Sequence, residues 1–270
     1  MIKQFMESTK RHQTVRKLMT RYRSRSLRRS DVLLASYPRS GNTWMKFMLA
    51  ELMSGDRVDF DTSERHVPSL EDLGPRDGLL SDGGRLVKTH ESFDLLRLGS
   101  NGAIYMVRDG RDVAVSEYFY SKRIGRFQGE FDDFLPMFLE GTLSHYGSWS
   151  NHVTSWLESG LPRLLVLRYE DILADPVGQL ARTADFLGLP AFDSERLESA
   201  VANNAAGEMR SKEALSSSLQ AEVKEAIPFV RSATSGDWEN HFDEHLLSRF
   251  EREAGRVLDL LGYDRMHAAA

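Results

Sequence analysis
Cysteine is absent from all 270 residues. That excludes disulfides, thiolate metal sites and cysteine nucleophiles. Long apolar runs are absent too. Nowhere do about 18 uncharged apolar residues follow one another, so no membrane-spanning helix is expected. The first twenty or so residues are basic and lack the apolar stretch of a secretory leader, so none is expected. Repeats and low-complexity tracts are missing. A cysteine-free chain with no leader suits the cytoplasm, which is the expected compartment.

What is present belongs to a packed globule. The chain is 41% hydrophobic, 28% charged and 10% aromatic, which excludes an intrinsically disordered protein. Its length fits a single large domain. The net charge of -5 hides an asymmetry: residues 1–30 carry ten basic side chains against Glu7 alone. Val15, Leu18, Met19 and Tyr22 follow helical spacing, so this arm is expected to be partly an amphipathic helix. The plainer expectation packs it on the domain with a solvated basic face. The alternative is a peripheral anionic contact. Aromatic residues do not alternate with the arginines as a stacking platform would need, so no nucleic-acid partner is expected.

From Asp31 onward the chain is expected to form one domain, 31–270. Short apolar runs at 32–36, 85–90, 103–108 and 164–169 read as strands. Helical segments at about 111–124, 144–159, 176–188 and 243–261 separate or follow them. Buried strands alternating with helices predict an α/β fold with a central parallel sheet flanked by helices. Residues 54–84, rich in Gly, Pro, Ser and acids, are expected to form a long connection shaping a substrate site.

Five segments could carry chemistry. The first is Tyr37-Pro38-Arg39-Ser40-Gly41-Asn42-Thr43-Trp44, where a strand ends and a helix begins. Helix N-termini bring unpaired N–H donors and partial positive charge, which suits a phosphate. Gly41 allows close backbone approach, and Arg39, Ser40, Asn42 and Thr43 add charge and donors. The nucleoside-triphosphate loop pattern is not met, because Asn42 stands where its Lys would be. An ordinary capped helix remains the alternative.

The second is Lys88-Thr89-His90. On a strand, Lys88 and His90 share a face while Thr89 points away. An ammonium beside an imidazole lowers the imidazole pKa and favours a base over an acid. A lone structural histidine is the plain alternative. The third runs from Arg108 to Ser116. Asp109 and Asp112 have capping-box spacing, and Arg108 and Ser116 could converge on one phosphate, unless Arg108 simply pairs with a structural carboxylate. The fourth is Arg168-Tyr169-Glu170-Asp171, followed by a cap-and-proline start at Asp175-Pro176. The fifth is Arg231-Ser232-Ala233-Thr234-Ser235-Gly236-Asp237-Trp238. His241 and His245 are four apart, but Phe242 stands where the zinc-protease pattern needs Glu, so no metal site is expected.

Taken in order, these segments resemble the sulfotransferases that use 3′-phosphoadenosine 5′-phosphosulfate (PAPS). That family's Tyr-Pro-Lys-Ser-Gly-Thr-Thr-Trp is similar to Tyr37–Trp44, and its Lys-Thr-His to Lys88–His90. Its Arg with Asp-Val-Ala-Val-Ser is similar to Arg108–Ser116, its Tyr-Glu-Asp and Asp-Pro to Tyr169–Asp171 and Asp175-Pro176, and its Arg-Lys-Gly-x-x-Gly-Asp-Trp to Arg231–Trp238. The resemblance implies a P-loop-like nucleotide-binding architecture. It also implies PAPS as co-substrate, a small-molecule acceptor with a hydroxyl or amine, and no metal, because cations and helix N–H groups neutralise the developing charge. Residues 39–44 would hold the 5′-phosphosulfate, with Trp44 and Tyr169 near the adenine. Arg108 and Ser116, helped by Arg231, Ser232 and Ala233, would hold the 3′-phosphate. His90 would be the base; Lys88 and Arg39 would stabilise the leaving oxygen during in-line transfer.

The departures are specific. Arg39 replaces the common Lys and can clamp a phosphate but gives up no proton. Ser232-Ala233 replace Lys-Gly, so one cation is missing. The stretch 204–209 resembles the family's adenine-side Thr-Ser-Phe-x-x-Met too faintly to enter the site. The dimerisation pattern Lys-x-x-x-Thr-Val-x-x-x-Glu would fall at Glu239–Ser248 and is not met. The rival expectations are a nucleotide kinase of similar topology, which would need the missing Lys, and a non-catalytic nucleotide-binding protein. The acceptor pocket is expected from 54–84, 120–150 and 205–230. Phe119, Tyr120, Phe127, Phe131 and Phe134 are candidates to line it, though core packing is the plainer reading of each.

Overall fold
In the computed structural model, which describes residues 15–73, 80–96 and 102–266, the first strand is Val32–Ser36 (β1), buried along its whole length. A strand buried on both faces must be central, and this one is. Four parallel strands run in the order β2-β1-β3-β4, with β2 Leu86–Thr89, β3 Gly102–Val107 and β4 Arg163–Arg168. Leu33 of β1 is in register with Val87 of β2 and Ala103 of β3.

Alternation along β1 divides the protein into two cores. Leu33 and Ala35 face one layer, with Val113, Trp149, Trp156 and Phe250. Val32 and Leu34 face the other, with Met45, Phe47, Leu49 and Leu180. The helices that supply these layers follow N-terminal helix α1, described from 15 to 23. They include α2 Asn42–Ser54, the short α3 Ser63–His66, α4 Gly110–Arg123, α5 Phe131–Glu140, α6 Trp149–Leu157, α7 Tyr169–Ala174, α8 Pro176–Phe186, α9 Ser194–Ala202, α10 Ala206–Leu215, α11 Ser217–Ala221 and α12 Glu244–Leu261. The α/β fold with a parallel sheet between helices is therefore present as expected.

Local chemistry fixes the helix ends. Asp109 accepts a hydrogen bond from Arg111 N to start α4. Asp175 accepts from Gly178 N, with Pro176 in the first turn, to start α8. Asp243 and a left-handed Gly262 bound α12. The expected capping box in α4 is incomplete. Asp112 instead accepts from Gly236 N at 2.9 Å and Trp238 N at 3.0 Å. Its carboxylate thereby pins the 231–238 turn to α4 across more than a hundred residues.

The connection 54–84 is less open than its composition suggests. It contains α3 and a 3-10 turn at Leu70–Asp72, while residues 74–79 lie outside the described ones. At the amino edge of the sheet Asp31 receives Arg85 Nη2 at 2.6 Å, Arg85 N at 2.9 Å and Arg28 N at 2.8 Å.

Candidate active site
Because the strands are parallel, β1 to β4 all end on one edge, and the residues after them gather there. From β1 the chain turns through Arg39 at φ 67° and Gly41 at φ 88° into α2. Gly41 caps that helix without a side-chain acceptor, so the first N–H groups of α2 are not capped by a side chain. A side chain at 41 has no room: its Cβ would stand 2.7 Å from Tyr169 Cδ2. Asn42 is turned inward. Its amide donates to Leu34 O at 3.1 Å and Ser36 Oγ at 3.2 Å, which ties the loop to β1. Ser40 is buried beneath the turn, its hydroxyl without a hydrogen-bond partner among the described residues.

A cluster of cations forms one wall. Arg39 Nε donates to Ser116 Oγ at 3.1 Å and Arg39 Nη2 to Phe229 O at 2.8 Å. Its guanidinium lies over the rings of Tyr120 and Phe229. Arg108 donates to Arg39 O at 3.3 Å and to Thr234 O at 2.9 Å, and it stacks over Tyr169 at 4.6 Å. Its Nε has no partner among the described residues. Asp112 is 3.5 Å away, the carboxylate pairing given above as the alternative for Arg108, and Arg39 contacts both Arg108 and Ser116. Arg231 pairs with Asp237 and lies over Phe119, with its Nε unpartnered among the described residues. Ala233 takes φ 56°, the left-handed conformation that suits the Gly of the resembled motif. Trp44 meets Tyr169 edge-on, ring centroids 6.1 Å apart.

The same cleft carries a titratable pair. His90 Nδ1 lies 3.0 Å from Ser36 O. A carbonyl only accepts, so Nδ1 carries the hydrogen and Nε2 keeps its lone pair. Burial, and after it the charge of Lys88, holds the His90 pKa down to about 3. Lys88 is itself lowered to about 8, by burial first and by Lys46 second. A second histidine, absent from the sequence reading, holds the first in place. His152 Nε2 donates to His90 O at 3.1 Å, while its Nδ1 accepts from Tyr105 OH at 2.9 Å.

All of this opens on one cleft of about 490 Å³, lined by Arg39, Gly41, Asn42, Thr43, Trp44, Lys88, His90, Arg108, Ser116, Tyr169, Arg231, Ser232 and Ala233. The volume is that of a small-molecule site. Of the expected site residues, Ser40 does not line it. Several lining residues escaped the sequence reading. Lys46 is buried in α2 and paired with Glu64; a lysine in so apolar a helix was the available signal. Glu117 is buried beside Ser116, bonded by Arg126 at 3.3 Å. Asn204, Ala206 and Met209 line the cleft, so the faint motif at 204–209 belongs to its wall. Of the five aromatic candidates, Tyr120 lines the cleft; Phe131 and Phe134 are core, and Phe119 and Phe127 pack against it. Phe47, Phe60, Tyr146 and Phe229 line the cleft as well. His241 contacts Asp237 at 3.6 Å, and no group of three metal-ligating side chains occurs among the described residues.

Comparison with known proteins agrees with this architecture. The sulfotransferase domain family matches residues 29–262. Sulfotransferase 1E1 of Rattus norvegicus is 31% identical over 263 residues, covering 89% of this chain and 88% of its own. Sulfotransferase 2B1 of Mus musculus is 31% identical over 231 residues, covering 80% and 68%. Among solved structures, retinol dehydratase in complex with retinol and PAP superposes with a TM-score of 0.68 at 24% identity over 90% of this chain and 84% of that one. Mouse sulfotransferase SULT7A1 complexed with PAP gives 0.64 at 24% identity over 87% and 89%. From β1 to α12, this chain belongs to the sulfotransferase family.

Proposed function
We propose that this sulfotransferase draws its sulfuryl group from PAPS and passes it to a hydroxyl, or an amine, of a small organic acceptor, with His90 as general base. One observation carries the reading: the uncapped α2 N-terminus, the Arg39–Ser116–Arg108 cluster and the Lys88–His90 pair open onto the same cleft. A donor with anions at both ends of its ribose needs two cationic stations. The donors of Arg108, Ser116 and Arg231 meet a 3′-phosphate. The α2 N–H groups, Thr43 and Lys88 meet the 5′-phosphosulfate. Trp44 and Tyr169 offer aromatic surface to the adenine.

In the transfer, His90 Nε2 takes the acceptor proton as the acceptor oxygen forms its bond to sulfur. The bond from sulfur to the bridging oxygen breaks, its electron pair stays on the 5′-phosphate of the departing PAP, and the Lys88 ammonium neutralises that charge. The low pKa of free His90 keeps the imidazole neutral across the physiological range. The donor's anions offset the Lys88 charge and raise its basicity once bound. Arg39 clamps without proton transfer.

Phe60, Tyr120, Tyr146 and Phe229, with Glu117 and Arg126, line the same cleft, and the acceptor is placed against them. This favours an aromatic or alicyclic alcohol. The cytoplasm is the compartment this reading takes, which a cysteine-free chain suits. Incubation with labelled PAPS and phenols, sterols, sugars and hydroxylated natural products, with and without chelator, tests it. Label should move to at least one acceptor class regardless of chelator. Transfer that requires a divalent metal, or none to any class, counts against it.

A further inference from the structure
Amphipathic helices normally turn their apolar side to the domain they pack on. Helix α1 does the reverse. Val15, Leu18, Met19 and Tyr22 are 54%, 62%, 45% and 67% exposed, and they make up half of the large hydrophobic residues exposed among the described ones. At about 3.6 residues per turn they share about 100° of arc. The polar side faces the protein. Arg16 Nη2 reaches Glu91 Oε1 at 2.5 Å and Thr20 Oγ1 reaches the same oxygen at 3.1 Å, with Glu91 and Thr20 both buried. Ser24, also buried, donates to Arg21 O at 3.1 Å. The contacts to Glu91 therefore hold the helix in this orientation, and no described residue covers its apolar stripe.

The flanks of that stripe identify what covers it. Residues 15–29 contain seven basic side chains and no acidic one, in a chain whose net charge is -5. Of these, Lys17 and Arg21 on α1 are exposed, and so are Arg25, Arg28 and Arg29 in the turns that follow it. An exposed apolar stripe edged with arginine and lysine is the composition of a helix that lies in the surface of an anionic bilayer.

We propose that α1 is an interfacial anchor that docks this enzyme on anionic lipid through Leu18, Met19 and Tyr22, with Lys17, Arg21 and Arg25 meeting the headgroups. The anchor sits beside the chemistry. Glu91 directly follows His90. Arg16 lies 4.3 Å over the ring of Tyr146, which lines the cleft and meets His90 edge-on.

The test is flotation of the full chain with vesicles of phosphatidylcholine alone or with about 30% phosphatidylserine. The protein should float with the anionic vesicles at least about tenfold more than with neutral ones, and about 0.5 M salt should release most of it. The pairs Leu18→Glu with Tyr22→Glu, and Arg21→Glu with Arg25→Glu, should each lose the vesicles while binding PAP as before, which shows them folded. The salt comparison judges the wild type independently of either variant. The proposal is overturned if the wild type ignores anionic vesicles or if flotation survives Leu18→Glu with Tyr22→Glu. It is equally overturned by a solution dimer that this same pair dissociates, or by an acidic polypeptide or nucleic acid that binds more tightly than the vesicles.

Discussion
In the proposed mechanism His90 concentrates the chemistry of the cleft in one nitrogen. Its Nδ1–H is committed to Ser36 O, its backbone is held by His152, and Nε2 keeps its lone pair for the acceptor proton the proposal assigns to it. His90→Ala should reduce transfer by at least about a thousandfold, within the range of general-base contributions, while PAP binds nearly as tightly as before; calorimetry with a parallel transfer assay checks both. A variant that keeps most of its turnover removes His90 as the base.

The pH profile follows from two depressed pKa values. His90, at about 3, is already neutral at pH 5, so kcat/KM should show no acidic limb near 6.5, where an ordinary histidine titrates. Lys88, at about 8, loses its positive charge as pH rises through that value, so kcat/KM should fall above about 8. Lys46→Met removes a neighbouring positive charge and should move that limb to higher pH. An unmoved limb would separate Lys46 from Lys88.

Among the elements, the strand-to-helix turn is the most constrained. Gly41→Ala places a methyl 2.7 Å from the Tyr169 ring in a left-handed backbone. Displacing Tyr169 and the α2 N-terminus together should weaken PAP by at least tenfold, about 1.4 kcal/mol, read by titration. The amino edge of the sheet depends on Asp31. Asp31→Ala leaves the buried Arg85 without its carboxylate and should cost about 3–5 kcal/mol in denaturant unfolding.

These elements were legible in the sequence because their signals are local. Four apolar runs, the turn at 37–44, Asp109 as a cap and Asp175-Pro176 each declare themselves within a few residues. What was illegible depends on distance along the chain. Asp112 looked like half of a capping box because its partners, Gly236 and Trp238, lie more than 120 residues away. Lys46 pairs with Glu64 across a connection whose composition suggests an open loop. The spacing of α1 showed that it is two-sided, but which side faces the domain is decided by Glu91, 71 residues beyond Thr20.

At the scale of the whole molecule, one parallel sheet brings four strand ends to one edge, where residues from 38 to 233 line one cleft. The account's central claim is that this cleft holds anions at both ends of one adenosine. Arg108 is the discriminating residue, because it is joined to Ser116 through Arg39 and its Nε has no partner among the described residues. The direct measurement is calorimetric titration of wild type and Arg108→Ala with PAP and with adenosine 5′-phosphate, which lacks the 3′-phosphate. Charge-assisted hydrogen bonds of about 1.5–3 kcal/mol each predict that the wild type prefers PAP by about 100-fold. Arg108→Ala should lose most of that preference while its affinity for adenosine 5′-phosphate changes little. Equal affinity of the wild type for both nucleotides, or equal weakening of both by the substitution, would contradict the account.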